Sequence, residues 1–401
     1  MKTTFKFVSI FLLPVQFLVA QGSYNILGQN LNSPNLIATA VPFLRLFPDA
    51  RANGMGGVGV ATEPDANSAF WNPAKFAFLN DSSQMGFSVS YIPLLRVEIP
   101  SINFSYASFY YKLPKNQVLA CSFRDLIMNN VLFTDNNGIT MGNFDSYEYA
   151  FDVTYSRKLS FNWSIGANAR YIYSNLTGAS AVQGEYVVPG QSVAVDISAY
   201  HKGNDSPFFN GDCNVSEGMC ISNIGSKISY SNSGVSNFIP TNLRVGAAFN
   251  IHFDSYNKLS IMEDANKLLV PTPPVYVYSQ AGYLVPINGM NPNVSATQGM
   301  IQSFYDAPGG ALQEFQEITW STGIEYTYND KYSVRTGFFY EVPTQGGREY
   351  YSVGAGYRLL TLTVDAAYLM PVSQQSPLYN TLCISFTFNF SPKKKAAHTT
   401  A

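Results

Sequence analysis

One pattern recurs from about residue 85 to the end of the chain. Segments of roughly ten residues alternate apolar side chains with small or polar ones. In 162–174, Trp163, Ile165, Ala167, Ala169, Tyr171 and Tyr173 share one face, and Asn162, Ser164, Gly166, Asn168, Arg170 and Ser174 the other. Near the end, Leu382, Ile384, Phe386, Phe388 and Phe390 oppose Thr381, Cys383, Ser385, Thr387 and Asn389. A period of two is the signature of extended chain, whose side chains point alternately to opposite faces. In a water-soluble sandwich the second face would be rich in Lys and Glu. Here it is Ser, Thr, Gly and Asn with isolated charges, and charged residues make up only 12% of the 401 residues. Aromatics reach 15% and crowd the ends of the apolar rows. Lipid outside and a polar lumen inside fit both facts. The chain therefore reads as all-β, a fourteen-stranded antiparallel transmembrane β-barrel.

The fourteen expected strands are 85–92, 102–112, 117–125, 146–157, 161–175, 191–202, 219–231, 241–253, 258–266, 317–328, 331–341, 349–359, 361–370 and 380–390. Links between them alternate short and long, as in outer-membrane barrels with tight periplasmic turns and longer outer loops. Segments 126–145, 176–190 and 267–316 are the long ones; 203–218 breaks the rule by being long on the periplasmic side. Inward positions carry both signs, with Arg124, Arg170, Arg244, Arg335 and Arg358 against Asp152, Asp196, Glu325, Glu341 and Asp365. Mixed charge points to internal ion pairs rather than an ion-selective hole. A tight Asn329–Asp330 turn would set Tyr328 opposite Tyr332, and so Glu325 opposite Arg335 on the luminal face.

Residues 1–20 read as a signal peptide: Lys2 and Lys6, an apolar run over 7–20, and Leu18-Val19-Ala20 before Gln21. Residues 21–84 have another composition, with Pro42, Pro48, Pro64 and Pro73 and the cluster Gly54-Met55-Gly56-Gly57-Val58-Gly59. Their hydrophobics, among them Phe43, Phe47, Phe70 and Trp71, predict an ordered plug or hatch inside the barrel. Gly54, Gly56 and Gly59 match G-x-G-x-x-G in letters, but no strand precedes and no helix follows, so a packed loop is the better reading than a phosphate cradle. The barrel then spans 85–390, and 391–401 is a basic tail containing Lys393-Lys394-Lys395.

Cys213 and Cys220 stand close in sequence; they read as a disulfide or as two free thiols, and no His lies near enough to suggest zinc. The chain contains neither a G-x-S-x-G elbow nor an H-E-x-x-H helix, so no catalytic residues, metal site or cofactor are expected. Segment 267–316 is too long for a simple connection. Its Tyr276, Tyr278, Tyr283, Phe304 and Tyr305 favour a partner-contact surface, since Tyr offers contact area at little entropy loss. A short helix is expected over 311–317.

Several blocks resemble one family. The stretch 42–61 (PFLRLFPDARANGMGGVGVA), with 64–68 (PDANS) and 70–75 (FWNPAK), resembles the N-terminal signature of PorV proteins, outer-membrane components of the type IX secretion system of Bacteroidetes. Segments 221–230 (ISNIGSKISY), 238–244 (FIPTNLR) and 307–310 with 312–320 (APGG and LQEFQEITW) are similar to later signatures of the same family. Within the first block the resemblance singles out Pro48, Asp49, Ala50, Arg51, Gly54, Gly56, Trp71, Asn72 and Pro73 as the plug motif. Trp71-Asn72-Pro73-Ala74 is more distantly similar to FadL-type fatty-acid channels.

The resemblance implies a FadL-like barrel in the outer membrane with a non-enzymatic role. It would receive cargo with a type IX C-terminal signal domain from a SprA-type translocon and present it to a PorU-type sortase. Membrane lipid and lipopolysaccharide would be its surroundings, and nucleic acid no partner. Two other roles stand beside this one. A FadL-like channel for hydrophobic small molecules needs a greasy pocket and a movable plug; a lipopolysaccharide O-deacylase needs a nucleophile and a base.

Overall fold

The structure is a computed structural model, which describes residues 25–30, 32–33, 35–79, 83–94, 102–134, 140–176, 181–182, 185–231, 235–279, 283–373, 376 and 378–391. The expected signal peptide and nearly all of the basic tail lie outside the described residues. Fourteen long strands form the wall: β1 (Met85–Leu94), β2 (Ile102–Leu113), β3 (Gln117–Thr134), β4 (Thr140–Lys158), β5 (Trp163–Asn175), β6 (Gly190–Lys202) and β7 (Gly211–Gly225). They continue as β8 (Asn242–His252), β9 (Asn257–Leu268), β10 (Ile318–Tyr328), β11 (Tyr332–Tyr340), β12 (Glu349–Leu359), β13 (Leu362–Pro371) and β14 (Leu382–Phe390). Each pairs antiparallel with its neighbours in sequence, and β1 pairs with β14 from Met85 opposite Phe390 to Tyr91 opposite Ile384. The sheet thus closes on itself and leaves no free edge.

Period-two alternation decides what each strand shows. In β1, Phe87, Val89 and Tyr91 point out and are exposed, while Ser88 and Ser90 point in and are buried. Aromatic rings collect at both rims. Tyr149 stacks on Tyr173 at 5.0 Å near the long-loop end, and Tyr332 lies 5.1 Å from Tyr357 near the short-turn end. Apolar side chains facing outward between two ring belts are what a hydrocarbon slab requires.

Three strands depart most from the sequence reading. The seventh strand runs 211–225 instead of 219–231, so the connection after β6 is short and the exception at 203–218 disappears. Residues 213–219 alternate Cys213, Val215, Glu217 and Met219 against Asn214, Ser216 and Gly218, but a Glu and a Cys on the outer row hide the period. The long link 126–145 is mostly wall: β3 and β4 run on to Thr134 and from Thr140. The disulfide alternative is also removed. Cys213 and Cys220 lie seven residues apart on one extended strand, roughly 23 Å at 3.3 Å per residue, and point to opposite faces; all four cysteines are free.

The lumen is filled. The described residues between 25 and 79 pass through it as a chain of loops and single turns: Pro42–Arg45, Ala50–Asn53, Ser68–Trp71 and Pro73–Phe78. The path starts at the long-loop end, where Asn30 N donates to Gly346 O at 2.7 Å, and ends at the short-turn end, where Lys112 Nζ donates to Leu79 O at 2.8 Å. In the long-loop half the inward rows turn apolar. Ile92, Leu94, Phe104 and Leu126 pack on Phe43, Leu44 and Leu46 of the plug. Burying one such side chain stabilises the seat by about 1.5–3 kcal/mol.

Candidate functional site: a fastened plug and an exposed outer loop

The plug meets the wall through its backbone. Ala50 N donates to Ser385 Oγ of β14 and Gly56 N to Ser352 Oγ of β12, both at 2.8 Å. Gly59 N and Val60 N share Asp264 Oδ2 of β9 at 2.8 and 2.9 Å. Ala74 N donates to Ser198 Oγ of β6, while Ser164 Oγ of β5 and Ser108 Oγ of β2 donate to Ala74 O and Ala66 O. Irregular backbone survives at membrane depth only where such partners satisfy it.

Close approach needs wall residues without side chains. A Cβ on Gly337 would lie 2.1 Å from Met55 C, one on Gly218 2.2 Å from Val60 O, and one on Gly166 2.4 Å from Ala74 N. Gly56 itself sits at φ +70°, with Phe338 N 2.6 Å from where its Cβ would be. The glycine cluster is therefore a contact loop, with a four-residue turn on one side and no phosphate cradle.

The plug motif residues hold this loop in shape. Asp49 caps the turn Ala50–Asn53, accepting from Ala52 N at 2.9 Å and from Trp71 Nε1 at 2.6 Å. Burial pushes the Asp49 carboxyl up to about 6. Asn72 Nδ2 donates to Val60 O at 2.9 Å and to Ala199 O of β6 at 3.0 Å, and Pro73 fills the hollow at Gly166. Lys75 is fully buried, its Nζ on Gly59 O and Thr62 Oγ1, and burial pulls the ammonium down to about 8.

Glu325 and Arg335 sit opposite each other in the β10–β11 register, with Tyr328 opposite Tyr332 at the turn. Arg335 Nε donates to Glu325 Oε2 at 2.5 Å and its Nη1 to Asp365 Oδ1 at 2.7 Å. The last two members come from the plug: Arg51 Nη2 reaches Glu325 Oε1 at 2.9 Å and its Nη1 reaches Asp65 at 3.0 Å. Five residues far apart in sequence thus form one chain of ion pairs across the lumen. A second chain, Arg124–Asp152–Arg170–Asp196, closes at 2.6, 2.6 and 2.9 Å on the other side. In the sequence Arg51 and Glu325 stand out only separately, and nothing there marks Ser352, Asp264 and Ser385 as anchors. Glycines at inward positions of the alternation, such as Gly218 and Gly337, were the available sign that backbone comes near.

The outer segment between β9 and β10 has a locked base and a free top. Lys267 Nζ pairs with Glu317 at 2.7 Å and Glu314 at 2.9 Å, and Thr272 Oγ1 donates to Glu317 at 2.7 Å. Helices Ala296–Gln302 and Ala311–Gln316 flank Asp306, which accepts from Thr272 N and Gln302 Nε2. Above them stands a hairpin, Val275–Tyr278 against Leu284–Asn288, with Val275, Tyr276, Val277 and Tyr278 exposed on both of its faces. Tyr278 is 76% and Tyr283 73% exposed, and Phe304, Tyr305, Leu312 and Phe315 are exposed around the helices.

The family described as "Type IX secretion system protein PorV" matches residues 29–275. No curated protein matches the chain. Among solved structures, the toluene transporter TodX of P. putida aligns with TM-score 0.48 and 12% identity over 86% of this chain and 99% of that one. The toluene transporter TbuX of Ralstonia pickettii gives 0.49 and 13% over 86% and 99%, and a Pseudomonas aeruginosa FadL homologue 0.44 and 12% over 89% and 100%. What those proteins carry says nothing about what this chain carries. The family match spans more than half of the sequence and contains the plug turns from Pro42 to Phe78, so the chain belongs to the PorV family, as an integral outer-membrane barrel of the type IX secretion system.

Proposed function

We propose that this barrel accepts cargo carrying a type IX C-terminal signal domain from a SprA-type translocon and hands it to a PorU-type sortase complex, using the outer loop as the holding surface. The observation that carries this reading is the hairpin Val275–Tyr278/Leu284–Asn288, exposed and apolar on both faces above a salt-bridged base. Tyr276, Tyr278, Tyr283, Phe304 and Tyr305 are the contact residues in this proposal. Rigid aromatics on a fixed base bind with little ordering cost. The fastened plug favours the same reading over a hydrocarbon channel, which needs a plug that moves.

Removing 275–288 and joining its ends with a short Gly-Ser turn leaves the β9–β10 base intact. Cells with that deletion should keep normal amounts of heat-modifiable barrel in the outer membrane and lose surface attachment of signal-bearing cargo. Normal attachment in such cells would refute the loop's role.

A further inference from the structure

Between the plug and the wall lies a small cavity of about 30 Å³. Five guanidinium groups line it: Arg45 from the plug, Arg124 of β3, Arg170 of β5, Arg244 of β8, and Arg348 just before β12. Three carboxylates answer them among the described residues. Asp152 takes Arg124 and Arg170, Asp196 takes Arg170, and Glu341 takes Arg348 at 2.8 Å and Arg45 at 3.8 Å. Among the described residues no carboxylate is in contact with Arg244. Its Nε donates to Asn266 Oδ1 at 2.7 Å, and its Nη1 reaches Trp71 O only at 3.4 Å. The guanidinium carbon stands 4.7 Å from the Trp71 ring and 5.4 Å from the Phe70 ring, which fixes its plane.

A second donor is also idle: Arg124 Nε is buried and has no hydrogen-bond partner. The other buried acids nearby are engaged elsewhere. Asp264 takes the Gly59 and Val60 amides through Oδ2 and leaves Oδ1 without a partner, Asp49 takes Ala52 N and Trp71 Nε1, and neither lines the cavity. Burial first, then the like charges of Arg348 and Arg244, hold the Arg45 guanidinium below its ordinary value. Asp264 and Asp196 act on Arg244 only through space, and a buried cation with no carboxylate in contact is costly. A guanidinium fixed by packing and facing open space offers paired N–H donors of the geometry that carboxylate and phosphate accept.

We infer that this cavity is a binding site for one small oxyanion group, a carboxylate or a phosphate, held chiefly by Arg244, with Arg124 and Arg45 closing on it. The way in is from the outer face. A neighbouring cleft of about 20 Å³ shares Arg45, Asn242, Asn266 and Thr319 with the cavity and extends past Glu341 to Gln29 of the plug and Glu317 at the foot of the outer loop. The group arrives either as a free ion or as the end of a longer chain.

Titration calorimetry on the full-length barrel in neutral detergent, at constant ionic strength, tests this. Inorganic phosphate and acetate probe the free ion; a pentapeptide with a free or an amidated C-terminus probes the chain end. The expected result is saturable binding of at least one of these probes, one per barrel, that chloride does not reproduce. Arg244→Gln should weaken it at least tenfold, and Arg244→Lys by less. Binding of phosphate or acetate alone assigns the free ion, and binding of the free-acid peptide alone assigns a chain terminus. If Arg244→Gln fails to assemble, Arg45→Gln replaces it, because Glu341 keeps Arg348, and a loss of severalfold is expected. No saturable binding of any probe, equal binding of chloride, or unchanged affinity in an assembled variant overturns the inference.

Discussion

Glu325→Gln is the sharpest single test of the fastened plug. The carboxylate accepts three charge-assisted hydrogen bonds: Arg51 Nε at 3.2 Å, Arg51 Nη2 at 2.9 Å and Arg335 Nε at 2.5 Å. Each such bond is worth about 1.5–3 kcal/mol, but the sum overstates the loss. Gln keeps one acceptor oxygen, Arg51 keeps Asp65 at 3.0 Å, and Arg335 keeps Asp365 at 2.7 Å. Breaking a buried pair costs about 3–5 kcal/mol, so the low end, roughly 3 kcal/mol, is the expected effect on plug docking. At 1.4 kcal/mol per factor of ten, the undocked population should rise about 100-fold. Hydrogen exchange reads this directly at Ala52, Gly56 and Gly59, whose amides donate to Asp49, Ser352 and Asp264. Their exchange should accelerate by that factor while amides within β3 and β4 stay unchanged. Acceleration below about threefold, or equal acceleration in the wall, would refute the claim that Glu325 ties the plug specifically. A cycle with Arg51→Gln should return a coupling of about 2 kcal/mol, within the range for residues sharing one network.

Three further outcomes follow from the same geometry. Gly337→Val puts a Cβ 2.1 Å from Met55 C and 2.2 Å from Gly56 N, so the loop must leave the wall and single-channel conductance in planar bilayers should rise; an unchanged trace would contradict that contact. Mass spectrometry of the unreduced protein should find no link between Cys213 and Cys220, whose side chains leave one strand on opposite faces. Burial raises the Asp306 carboxyl above its ordinary value, its Oδ1 having no partner. A raised carboxyl contributes stability that is present below the ordinary value and lost as pH rises through the raised one. Protease nicking of 269–317 should therefore increase as pH climbs from about 4, and Asp306→Asn should flatten that rise.

The wall was legible because its physics is local. Period two is a property of extended chain, and lipid on one side with polar or small groups on the other writes it into each strand separately. Register was legible only where a turn is tight: Asn329 and Asp330, both at positive φ, set Tyr328 against Tyr332 and so Glu325 against Arg335. Where the outer row carries Cys213 and Glu217 the period blurs, and β7 begins eight residues and ends six residues earlier than the pattern suggests. The exposed aromatics of 267–316 could be named from sequence, but the freedom of the hairpin on both faces could not, because exposure depends on what else packs nearby.

What the chain alone determines is thus its solvent. Low charge, abundant aromatics and alternating rows specify a barrel in lipid, since each is a preference of single residues for water or hydrocarbon. Tertiary structure decides how the lumen is closed. Arg51 meets Glu325 across 274 residues, Gly56 meets Ser352 across 296, and Arg244 is left facing a cavity only because Trp71 and Phe70 arrive beside it. Those meetings rest on distances between segments remote in sequence, and ring closure of the sheet is what brings them within reach.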